Sequence, residues 1–105
     1  MDKHSVLQEI QELLAAKFGS EIERVILFGS QAKNADRPDS DFDILVILKN
    51  PHDWRMRRQI SEVCYDIDLK YDIRTDIKTI SVGELREPRG RQPFIQQALK
   101  EGISA

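Results

Sequence analysis

One stretch constrains this chain more than any other: GSQAKNADRPDSDFD, residues 29–43. It follows the apolar run Val25-Ile26-Leu27-Phe28 and leads into Ile44-Leu45-Val46-Ile47-Leu48. The order predicts a strand, a Gly-Ser turn, a short helix over 30–33, a turn at Pro38-Asp39-Ser40 and a second strand over 41–48. Residues two apart on a strand share a face. Asp41 and Asp43 should therefore project side by side, with Phe42, Ile44 and Val46 pointing the other way.

Two adjacent carboxylates repel unless one takes a proton or a cation sits between them. Their oxygens suit a hard divalent ion, Mg²⁺ above all, which commonly bridges to substrate phosphates. Gly29 permits a tight turn and the close approach of a ligand. Ser30 should open a short helix whose free N–H groups favour an anion, and its hydroxyl adds a donor. Carboxylates for a metal beside a turn for an anion are what a nucleoside triphosphate needs. Asp-x-Asp before an apolar strand is also ordinary turn chemistry; its placement after Gly29-Ser30 is what weighs for a site.

Gly-Ser, ten residues, Asp-x-Asp and an aliphatic run together resemble the minimal nucleotidyltransferases of the DNA polymerase β superfamily. The resemblance covers Val25 to about Ile80. The helix opening at Pro93-Phe94 and ending in Lys100-Glu101-Gly102-Ile103 is similar to the usual tail of these domains. Gln31 stands where members often carry Arg, and Asn34 where they often carry Gly. Asn tolerates the left-handed conformation better than most residues.

Size and charge narrow the alternatives. A chain of 105 residues is one domain with a modest core. Its net charge of −2 argues against a dedicated nucleic-acid binder. Cys64 is the single cysteine, which excludes an intrachain disulfide and a cysteine-based zinc site. No signal peptide and no membrane-spanning apolar run is evident, so the expected location is the cytoplasm.

The remaining elements follow from periodicity. Val6, Ile10, Leu13 and Leu14 predict an amphipathic helix over 3–18, capped by Gly19. A strand is expected over 24–28. Asp53 should cap a long helix over 54–70, with Met56, Ile60, Val63, Cys64 and Ile67 as its buried stripe. Arg55, Arg57 and Arg58 near its start read as a solvated face. Trp54 is a core edge or a partner contact, and the sequence leaves both open. Residues 73–80 alternate, predicting a half-buried strand with Arg74, Asp76 and Lys78 on one face. A turn over 82–85, a polar loop over 87–91 and a last helix over 92–101 complete the chain. His4 and His52 read as isolated, not as ligands.

The expected fold is α+β: a short mixed sheet with helices packed on one face and a site on the open face. Asp76 alternates onto the polar face and is the candidate third carboxylate, with Asp72 as the alternative if the helix ends differently. Asp66 and Asp68 read as surface charge at a helix end. The resemblance supports a third acidic residue on this strand.

The implied chemistry is two-metal nucleotidyl transfer with Mg²⁺. Asp41 and Asp43 would hold the metal that grips the triphosphate. Asp76 would complete a second metal site and assist deprotonation of the acceptor. Gly29 and Ser30 would bind the β- and γ-phosphates. The resemblance further implies AMP transfer from ATP to a hydroxyl on a helical HEPN-type partner protein, as the antitoxin of a toxin–antitoxin pair. The acceptor must arrive with a partner or bind at an oligomer interface. The competing reading is a domain that neutralises such a partner by contact alone. RNA or an antibiotic as acceptor is disfavoured by the mild acidity and the lack of a second domain.

Overall fold

The computed structural model describes residues 2–29, 32 and 41–105. The expected short helix and turn over 30–40, and with them Ser30, lie outside the described residues apart from Ala32.

Helix α1 spans Lys3–Phe18. The Asp2 carboxylate accepts from the His4 N–H at 3.1 Å and so starts it. Gly19, at φ 61°, stops it, as expected. Strand β1 is Ile22–Phe28 and β2 is Phe42–Leu48. Helix α2, Trp54–Tyr71, is capped by Asp53, which accepts from the N–H groups of Arg55 and Met56 at 3.1 and 3.2 Å. Strand β3 is Thr75–Ser81, α3 is Pro93–Glu101 and β4 is Ile103–Ser104. Short 3₁₀ turns occupy Gly83–Arg86 and Pro88–Arg91. None of the described helices is long and apolar enough to cross a membrane.

The sheet order is β3-β2-β1-β4. β2 runs antiparallel to β1 and parallel to β3, while β4 adds antiparallel to β1. The expected mixed sheet is therefore present. The α2 crossover makes the parallel pairing possible, since parallel neighbours cannot be joined by a hairpin.

Two apolar layers flank the sheet. Val25, Leu27, Phe42, Ile44, Val46 and Leu48 pack beneath α1 and α2, whose Ile10, Leu14, Ile60, Cys64 and Ile67 are buried against them. Each such side chain contributes roughly 1.5–3 kcal/mol when fully buried. On the other face Ile26, Phe28, Leu45 and Ile47 meet Ile95 and Ala98 of α3. The two long helices thus share one face, and α3 covers part of the other. The unbroken run Ile44–Leu48 demands this, because an apolar strand without alternation must be buried on both sides.

Candidate active site

Asp41 and Asp43 stand where β2 begins: Asp41 just before it and Asp43 within it. Phe42, Ile44 and Val46 go into the layer under α1 and α2, so Asp43 projects from the opposite face. On β1 the residue facing Asp43 is Phe28; on β3 it is Asp76. Neighbours in register share a face, so Asp43 and Asp76 lie side by side across the parallel pair. This is the face that the alternation of residues 73–80 predicts for Asp76.

Gly29 closes the site from the β1 side. It follows Phe28 with φ 75°, in the left-handed region. A Cβ there would collide with the Asp43 carboxylate, with Oδ2 as its nearest neighbour. The turn thus needs glycine twice, once for its backbone angle and once for the space Asp43 fills.

The electrostatics follow from this crowding. Burial pushes the Asp43 carboxyl above the usual carboxylate range, and the charges of Asp76 and Asp41 push it further, with Lys78 partly opposing them. Two cations hold the flanking carboxylates. Arg74 Nε lies 3.9 Å from Asp41 Oδ1, and Lys78 Nζ lies 3.4 Å from Asp76 Oδ1. Among the described residues no three His, Cys, Asp or Glu side chains converge as a metal cage. Carboxylate oxygens are the donors a hard divalent ion takes, and the crowded Asp43 carboxyl is the one a nearby cation would relieve most.

Asp72 takes no part in this cluster. At φ 54° it is the left-handed cap of α2, its N–H donating to the Asp68 carbonyl. Asp68 is more than surface charge: its carboxylate accepts from the Thr75 N–H at 3.0 Å and anchors the start of β3. Asp66 is exposed, as expected. Cys64 is buried in the core, and burial pushes its thiol up to about 12. His52 is not isolated. Its Nε2 pairs with Thr79 Oγ1 at 2.7 Å, while Nδ1 is buried with no partner among the described residues. Burial holds this imidazole below its ordinary value. Only spacing in three dimensions reveals that contact, since the two residues are 27 apart in sequence. Trp54 is 55% exposed, with the Arg55 guanidinium 5.2 Å from its ring centre.

The profile of the family described as "Polymerase beta, Nucleotidyltransferase" matches residues 8–104. The chain belongs to the polymerase beta nucleotidyltransferase family. A relative in Methanocaldococcus jannaschii, provisionally named protein adenylyltransferase MJ1305, is 36% identical over 86 residues, which make up 82% of this chain and 56% of that protein. Among solved structures, a toxin–antitoxin protein with AMP-PNP superposes with a TM-score of 0.67 at 22% identity, covering 92% of this nucleotidyltransferase and 69% of that chain. The MNT antitoxin–HEPN toxin complex of Shewanella oneidensis, its toxin tri-AMPylated, matches with a TM-score of 0.63 at 19% identity, covering 98% and 71% of the two chains. At these identities the structural matches establish the nucleotidyltransferase fold.

Proposed function

We propose that this nucleotidyltransferase moves AMP from ATP to a hydroxyl group on a HEPN-type partner protein, in a toxin–antitoxin pair, with Mg²⁺. The observation that carries this reading is the Asp43–Asp76 register beside the left-handed Gly29. It favours Asp76 over Asp72 as the third carboxylate, because Asp72 is committed to capping α2. The relative named for protein adenylylation and the AMP-bearing toxin of the Shewanella complex support the choice of nucleotide and acceptor. The cytoplasm is the proposed setting. The net charge of −2 disfavours nucleic acid as the acceptor.

In this mechanism Asp41, Asp43 and Asp76 would hold divalent ions, which would neutralise phosphate charge. Gly29 leaves its backbone open to the β- and γ-phosphates, and Ser30 offers them a hydroxyl. Asp76 orients the acceptor hydroxyl and receives its proton. The acceptor oxygen bonds to the α-phosphorus as the bond to the bridging oxygen breaks, and pyrophosphate leaves. Lys78 and Arg74 lie beside Asp76 and Asp41 and partly balance their charge. The protein contributes positioning and charge complementarity more than covalent chemistry.

One observation favours the contact-only alternative: Asp41 and Asp76 face Arg74 and Lys78 rather than each other. Co-expression with the product of the neighbouring gene separates the two readings. If Asp43→Asn loses neutralisation of that protein while still binding it, transfer is the function. If Asp43→Asn neutralises as well as the parent, contact alone suffices.

A further inference from the structure

Strand β3 is an outer strand of the sheet, with β2 on one side. Its two edges are distinguished by the ladder. The Phe42 N–H donates to the Arg74 carbonyl, and the Val82 N–H donates to the Leu48 carbonyl, both at 2.8 Å. Alternate residues of an edge strand bond inward, so the even-numbered positions 74–82 face β2. The backbone groups of Thr75, Ile77, Thr79 and Ser81 then face outward.

The two ends of this outer edge are closed by side chains. The Thr75 N–H donates to the Asp68 carboxylate at 3.0 Å, and the Ser81 N–H donates to Glu84 Oε1 at 3.1 Å. Between them, the outward groups of Ile77 and Thr79 have no hydrogen-bond partner among the described residues; Ile77 is half-buried, while Thr79 is buried, with His52 on its hydroxyl. Exposed strand edges are normally blunted; here the blunting stops short of the middle.

The open segment is also the floor of a groove of about 190 Å³. That is below the roughly 300–1,000 Å³ of a small-molecule pocket, and it suits a few side chains and a strip of backbone. Arg57 and Ser61 of α2 form one wall, and Arg89 and Phe94 the other. Three cations therefore line it: Arg57, Lys78 and Arg89. Lys78 and Arg89 have one carboxylate each, Asp76 at 3.4 Å and Glu84 at 3.0 Å. The Arg57 guanidinium has no ion pair among the described residues. Arg57 is thus the cation left unneutralised in the groove, on a chain whose net charge is −2.

We infer that this groove docks an extended acidic peptide segment of a partner protein, which adds as a strand beside β3. The outward N–H and C=O groups of Ile77 supply the main-chain bonds, with Thr79 at the covered end, and the unpaired Arg57 selects an acidic side chain. A second copy of this chain fits poorly. Pairing two β3 edges about a twofold axis would bring the same three cations together from each side.

The test uses the full chain and a short fluorescein-labelled peptide of alternating glutamate and threonine. Binding is read by anisotropy, and amide exchange by NMR. In the free protein the amide of Ile77 should exchange fast, and those of Lys78 and Ile80 slowly. Saturating peptide should slow Ile77 by about tenfold or more. Arg57→Glu, at an exposed position, should weaken binding by about tenfold with an unchanged melting temperature. The same peptide N-methylated at alternate amides, or with lysine for glutamate, should not bind. Several results would overturn the inference. One is no binding at millimolar peptide. Another is equal binding of the N-methylated peptide, which would leave charge alone. A third is a slow Ile77 amide in a self-associated free protein, which would place a second copy on the edge. Tight binding of a short RNA that leaves the Ile77 amide fast would assign the cations to a polyanion.

Discussion

Gly29 and Asp43 occupy space that only one side chain can fill: a Cβ on Gly29 would overlap the Asp43 carboxylate. With φ at 75°, Gly29 also sits where an L-residue is strained. Gly29→Ala is therefore expected to cost about 1–3 kcal/mol of stability and to displace Asp43. Urea unfolding checks the first expectation and Mg²⁺–ATP binding the second. Unchanged stability would mean that the turn relaxes without strain.

The burial of Asp43 and its crowding by Asp76 make a second prediction, with its sign fixed by linkage. The folded state raises the Asp43 carboxyl above its ordinary value, so it holds this proton more tightly than the unfolded chain does. The stabilisation is complete at low pH and is lost as pH rises through the raised value. At neutral pH an ionised Asp43 is then a burden on the fold. Asp43→Asn should melt at a higher temperature than the parent at pH 7, and the gap should close in acid. Mg²⁺ should raise the melting temperature of the parent more than that of Asp43→Asn. Thermal melts across pH, with and without Mg²⁺, read both effects.

His52 carries the opposite sign. Burial lowers its value in the folded state, so the unfolded chain binds the proton more readily. Its contribution is complete above the ordinary histidine value of 6.5 and is lost as pH falls through that region. The urea midpoint should drop between neutral and mildly acidic pH. His52→Gln should flatten that slope, and an unchanged slope would clear His52 of the role.

Much of this was legible before any coordinates. The caps at Gly19 and Asp53, the α2 stripe and the alternation that sets Asp76 on the polar face are local patterns, and local patterns survive folding. Strand β4 was not legible, because Ile103 and Ser104 are too few to show a period. Nor was the cover of α3 over the second face foreseen, although the unbroken apolar run after Asp43 carries that signal. The Asp68–Thr75 and His52–Thr79 contacts depend on how α2 and its flanking loops return to β3, which no spacing encodes. The proposed choice of Asp76 over Asp72 rests on the Asp43–Asp76 register and on the left-handed cap at Asp72, neither of which spacing encodes.

The most direct measurement is the intact mass of the neighbouring gene's product after incubation with this protein, ATP and Mg²⁺. The account predicts a gain of one or more adenylyl groups on that protein. The gain should disappear with Asp41→Asn, Asp43→Asn or Asp76→Asn, while the complex still forms. An unmodified partner in a stable complex, or a gain that survives all three substitutions, would contradict it.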